Sequence, residues 1–152
     1  WKYSTGDPVF RQASQRVDDW GHGYDKACAD LFEALSDVDV PRLRKQIESW
    51  GYYRKDPVLQ YAVRSEQASG PKYDTAIVVV KRSMESKGVA ALRDAVESWG
   101  FHTKDPVYEE ARVQGQQWAV AYDRDCDAVE GAVEAKDARR ARELAGAWAW
   151  AA

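Results

Sequence analysis

The 152-residue chain is long enough for one domain with a real core, burying roughly two thirds of its unfolded surface. Apolar residues are 45% of it and charged residues 31%, an ordinary globular balance, and the net charge of −3 argues against a nucleic-acid surface. The longest apolar run, Ala76 to Val80, is far below the roughly 18 residues that suggest a membrane-spanning helix.

The first predicted element is a helix opening at Asp7-Pro8. Asp is a favoured N-cap, and Pro suits the first helical position because its missing N–H is not needed there. Phe10, Ala13, Val17, Trp20, Tyr24, Cys28, Leu31 and Leu35 then recur at steps of three and four, the mark of a helix burying one face. Such a helix runs about 28 residues, roughly 42 Å. Gly21 and Gly23 fall inside it and predict local loosening. A short helix follows, capped by Asp39, with Val40, Leu43, Ile47 and Trp50 on its apolar face. Gly51 comes next, where a left-handed C-cap favours glycine.

The second long helix opens at Asp56-Pro57, but Ser69-Gly70-Pro71 interrupts it. An interior proline costs a helix roughly 3 kcal/mol, so a kink or a short break is expected there. Its short companion is capped by Gly88 and carries Val89, Leu92, Val96 and Trp99, followed by Gly100. The third long helix opens at Asp105-Pro106 and carries Tyr108, Ala111, Gly115, Trp118, Tyr122, Cys126, Val129 and Val133. The last short helix, capped by Asp137, thins its apolar face to Ala138, Ala141, Ala145 and Trp148.

These elements are copies of one another. Trp1, Trp50, Trp99 and Trp148 mark a gap-free period of 49 residues, and Tyr24-Asp25, Tyr73-Asp74 and Tyr122-Asp123 hold it too. Periods of about 20 to 50 residues signal stacked supersecondary units. The expected fold is all-α: three tandem 49-residue αα-hairpin repeats over 1–49, 50–98 and 99–147 with a tail at 148–152, one domain, arranged as a short array or a bundle. Trp50, Gly51, Asp56, Pro57, Trp99, Gly100, Asp105 and Pro106 read as structural residues of the repeat junctions.

Catalytic and metal motifs are scarce. His22 and His102 sit at different offsets of the repeat and in no ligand spacing, and no GxGxxG, GxxxxGK[ST] or GxSxG occurs. Asp123, Asp125, Asp127 and Glu134 match calcium-loop positions, yet Ala128 stands where that loop needs glycine, and the stretch also carries a helical stripe. No metal, cofactor or catalytic residue is therefore assigned. Cys28 and Cys126 lie on apolar stripes two periods apart and are expected as free thiols. The repeated Tyr-Asp pair reads as a phenol reaching a neighbour, or as a threefold polar contact for a partner.

Candidate partner-binding residues cluster at the C-terminal end. Arg139 and Arg140, with Arg142, form a basic patch, and the tail AGAWAWAA carries Trp148 in phase and Trp150 out of phase. Trp is enriched at binding anchors, so Trp150 is expected to dock on another subunit or a membrane surface. The functional expectation is a non-catalytic structural or adaptor subunit of a larger protein assembly. The chain has no secretory leader and does not begin with Met, which suggests a processed precursor and a small extrinsic subunit of an organellar membrane complex, photosynthetic or respiratory. A ligand- or pigment-binding carrier is the alternative, with a cavity lined by Trp and Tyr.

Overall fold

The computed structural model describes residues 6–150. Trp1 and the last two alanines of the tail lie outside them. The class is all-α. Six helices occur among the described residues: α1 (Pro8–Ser36), α2 (Val40–Glu48), α3 (Pro57–Glu85), α4 (Val89–Glu97), α5 (Pro106–Glu134) and α6 (Ala138–Gly146). Long helices of 29 residues alternate with short ones of 9. No strand occurs among the described residues, and no helix there is long and apolar enough to cross a membrane.

The N-terminal caps are those the sequence implies. Asp7 Oδ1 accepts from the Val9 and Phe10 amides, Asp105 Oδ1 from Val107 and Tyr108, and Asp56 Oδ1 from Val58. Asp39 and Asp137 cap α2 and α6 through the amides of Arg42 and Arg140. Gly88 fills the same place before α4 without a side-chain bond.

The C-terminal stops correct the reading of Gly51 and Gly100. No glycine among the described residues has a positive φ; the left-handed residues are Val38, Lys87 and Lys136, at φ 53–54°. Each follows a long helix. Asp39 N–H donates to Ala34 O at 2.9 Å and Val38 N–H to Leu35 O at 3.3 Å, and the same pair of bonds recurs at Gly88 and Lys87 and at Asp137 and Lys136. This is the Schellman arrangement, which satisfies the last carbonyls of a helix. Its final residue doubles as the N-cap of the next short helix. Gly51 and Gly100 instead lie in the loop after each tryptophan, with open space where a Cβ would be.

Proline 71 does not break α3, which is helical from Pro57 to Glu85. The residue before a proline normally avoids the helical region because its Cβ meets the proline ring, and Gly70 has no Cβ. Hydroxyls brace the surrounding carbonyls: Ser69 Oγ donates to Ser65 O and Thr75 Oγ1 to Pro71 O, both at 2.8 Å. Likewise α1 passes unbroken through Gly21 and Gly23.

The chain divides into two compact units, Trp1–Gly70 and Pro71–Ala152, the division falling inside α3. In the first, α1 packs on α2, and Leu31, Ala34, Leu43, Trp50, Leu59 and Ala62 form one buried cluster. In the second, α5 packs on both α4 and α6, and Val80, Leu92 and Ala111 form a buried cluster. Burying a side chain of leucine or valine size contributes about 1.5–3 kcal/mol, so these clusters carry much of each unit's stability. Cys28 and Cys126 are half-buried free thiols.

Candidate functional site

Each unit contains one junction where a short helix hands over to the next long one. Its geometry is built from residues the period repeats. In the first unit, Tyr24 Oη donates to Asp56 Oδ2 at 2.9 Å. In the second, Tyr73 Oη donates to Asp105 Oδ2 at 2.7 Å. The acceptor in each case is the N-cap aspartate of the following long helix. One carboxylate oxygen holds the first turn of that helix, and the other is held by a phenol of the preceding one. The tyrosine's sequence neighbour, Asp25, Asp74 or Asp123, is exposed. A neutral donor on a carboxylate contributes about 1.5–3 kcal/mol.

The tryptophan closes the same corner. Trp50 Nε1 donates to Tyr53 O and Trp99 Nε1 to His102 O, both at 3.3 Å. Around each lies an edge-to-face aromatic triad: Tyr24, Trp50 and Tyr52, with centroids 5.4–6.0 Å apart, and Tyr73, Trp99 and Phe101, at 5.3–6.1 Å. Trp99 also stacks on Tyr108. Hydrogen bonds with the Cys28 thiol and with Asp56 push the Tyr24 phenol well above its ordinary range. Trp50, Asp56, Pro57, Trp99, Asp105 and Pro106 are thus junction residues; Gly51 and Gly100 lie in the loops without a required conformation.

A third triad stands at the C-terminal end: Tyr122, Trp148 and Trp150, with Tyr122 5.8 Å from Trp148 and 6.0 Å from Trp150. This corrects the view that Trp150 is out of phase. It holds the place of Tyr52 and Phe101, a place the sequence shows once residues 52, 101 and 150 are aligned rather than the tryptophans alone. Its indole also meets Trp118 edge-on, and Trp150 Nε1 donates to Asp125 Oδ2 at 3.0 Å. That bond, with Arg124, holds the Asp125 carboxyl below its usual range. Trp150 is therefore half-buried in its own unit. Trp148 is the open member, 41% exposed against 5% for Trp50.

Tyr122 donates to no carboxylate among the described residues. The Cys126 thiol is its hydrogen-bond neighbour, and that contact is the main reason its phenol titrates above the ordinary value. Arg139 and Arg140 are exposed on α6, and both reach Glu143. Asp123, Asp125, Asp127 and Glu134 lie along α5, which is helical throughout the would-be calcium loop. His22 is exposed on α1 and His102 lies in the loop before α5.

The N-terminal half of α1 is the other open surface. Ala62 and Ala111, which hold the same place in α3 and α5, are fully buried; Ala13 is exposed. Val17 is 62% and Trp20 59% exposed. A groove of about 650 Å3 runs along this face from Asp7 to Asp18. This reach of α1 is thus open among the described residues, whereas its counterparts in α3 and α5 are packed.

No family model matches the chain, and neither a curated protein nor a solved structure resembles it significantly.

Proposed function

We propose that the chain is a non-catalytic helical-repeat adaptor that works by docking on other protein through exposed apolar faces of its helices. The observation that supports this most is the apolar first half of α1, with Val9, Val17 and Trp20 open and Ala13 exposed where Ala62 and Ala111 are buried. An apolar patch that a chain's own fold covers elsewhere is a surface shaped for cover. The repeated polar pair adds to the reading: the Tyr24–Asp56 and Tyr73–Asp105 bonds lock one helix start to the preceding helix, a structural role. Arg139 and Arg140 offer exposed charge in the first turn of α6, and Trp148 is open after the last. A peripheral contact with a membrane-bound complex falls within this reading.

The test is Ala13→Glu. Glutamate suits an exposed helix position and is ruinous under a packed partner. The variant should keep its helical circular dichroism and lose the proteins that co-purify with the tagged parent. Undiminished co-purification would sink the reading.

A carrier role is the second reading, favoured by one groove. Val17, Trp20, Tyr24, Tyr52 and Tyr53 line about 720 Å3 of the first unit. Saturable quenching of tryptophan emission by a hydrophobic dye, lost in Trp20→Ala, would support it.

A further inference from the structure

The groove between α4 and α5 matches a groove of the first unit place for place, because the repeat carries one lining onto the other. In the first unit, Arg44 and Glu48 of α2 line it with Val63 and Glu66 of α3, and Arg44 Nε donates to Glu66 Oε1 at 2.7 Å. In the second, Arg93 and Glu97 of α4 line it with Arg112 and Gly115 of α5. The arginine is kept and its carboxylate is not. Arg93 makes no ion pair among the described residues. A second guanidinium, that of Arg112, also stands where the first unit has a valine. The linings thus differ in sign: one arginine with two glutamates in the first unit, two arginines with one glutamate in the second. From this we propose that the α4–α5 groove binds a carboxylate carried on a short methylene stem, with Arg93 receiving its charge as Arg44 receives that of Glu66.

Space and chemistry both fit. What Gly115 lacks beside Glu66 is two methylenes and a carboxylate, which as a free ion is propionate. The groove measures about 170 Å3, and a Cβ placed on Gly115 meets only the Leu92 side chain, at 3.7 and 3.8 Å. Leu92 and Val96 give the stem apolar neighbours. The planar guanidinium of Arg93 offers a carboxylate two parallel donors. Arg112 Nε and Nη2 donate to Glu109 Oε2 at 3.2 and 2.8 Å, which holds this second guanidinium in the wall and leaves Nη1 without a partner among the described residues. Glu97 does not forbid a carboxylate here, since its counterpart Glu48 lines the first groove, where the Arg44–Glu66 pair forms nonetheless. The site lies on α4 and α5, apart from the α1 face, and stands independently of the docking role assigned to that face. A free short-chain acid and a partner's glutamate side chain carry the same group.

Nuclear magnetic resonance of the full chain tests this, read at the Arg93 Nε–H and the Gly115 amide. The probes are sodium propionate and the blocked peptide acetyl-Gly-Glu-Gly-amide, each against sodium chloride at equal ionic strength. Propionate should shift both signals saturably, half-way at about 10 mM, and the uncharged propionamide should not. Arg93→Gln, at an exposed position, should weaken the response at the Gly115 amide about tenfold or more with unchanged helix content. Gly115→Glu should abolish binding by supplying the chain's own carboxylate, and should move the Arg93 signal before any probe is added. A peptide that binds more tightly than propionate identifies a partner's glutamate as the source of the carboxylate; propionate binding as tightly as the peptide, or more so, identifies a free short-chain acid. The proposal is overturned if neither probe shifts these signals beyond chloride. It is overturned equally by a response that is undiminished in Arg93→Gln or that survives Gly115→Glu.

Discussion

The two junctions share a frame and differ in its filling. In the first, the Tyr52 hydroxyl lies against Gly23, where any Cβ would collide with it; in the second, Lys72 takes that place, and Phe101 has no hydroxyl to collide. In the first, the Arg44–Glu66 ion pair lies over Gly70, so close that a Cβ there would meet both side chains. In the second, Arg93 faces Gly115 instead of a glutamate, and Ala119 stands where Gly70 was. Each exchange alters two positions together, trading a small residue against a large one. What stays constant is the tyrosine on the N-cap carboxylate and the indole on a loop carbonyl. The frame is therefore the part that specifies the corner, and the filling is adjusted until space is used.

The largest expected difference lies in the frame. Asp105→Ala removes a cap and the buried Tyr73–Asp105 hydrogen bond, which together cost about 3 kcal/mol. Asp56→Ala should cost less, about 2 kcal/mol, because Tyr24 and Asp56 are only half-buried and water can replace the lost partner. Urea midpoints of the two variants measure the order. Equal losses would show that burial does not separate the junctions.

A smaller gain should come from relaxing the left-handed stops. Val38 is β-branched at φ 53°, a costly combination, so Val38→Gly should stabilise the chain by about 1 kcal/mol. Lys87→Gly should gain about half as much, since an unbranched side chain is less strained there. By contrast, Gly51→Ala and Gly100→Ala should shift thermal midpoints little, within about 0.5 kcal/mol, since nothing opposes their Cβ. A large loss at either glycine would mean that its loop needs a freedom its φ does not display.

Smaller again is the ion pair. Arg44→Ala should cost less than about 1 kcal/mol, and less in high salt, because both partners are partly exposed. Arg93→Ala should cost still less, for want of a carboxylate at Gly115. The smallest effect at neutral pH concerns Tyr24 ionisation. Its folded form holds the proton more tightly than the unfolded chain, whose phenols titrate near 10. The stabilisation is complete below about pH 10 and declines as pH rises through the raised folded value. Urea midpoints falling from pH 9 to pH 11 in the parent, and falling less in Tyr24→Phe, are the expected result.

Much of this was legible beforehand, because local chemistry decides it. The Asp-Pro starts, the caps at Asp39, Gly88 and Asp137 and the apolar stripes announce six helices with their boundaries. Three features were not. The stop at Val38, Lys87 and Lys136 escapes notice because valine and lysine carry no left-handed preference; their Schellman bonds, not their propensity, impose the conformation. The continuity of α3 depends on Gly70 preceding Pro71, a pairwise effect that a single-residue penalty overlooks. The Tyr24–Asp56 bond joins residues 32 positions apart, beyond any helical spacing, and only the repeated Tyr73–Asp105 bond marks it as a rule.

Because Asp39, Gly88 and Asp137 each close one helix and open the next, the corner between them has no spare link. One residue added there would turn the short helix by about 100° about its axis and swing its apolar stripe off the neighbour that buries it. The stretch from Gly51 to Lys55 is different: it is exposed for most of its length and outside any helix, so added length there can bulge outward. A designer lengthening this module, or lineages drifting apart from it, would thus find one elastic loop per period and one rigid one.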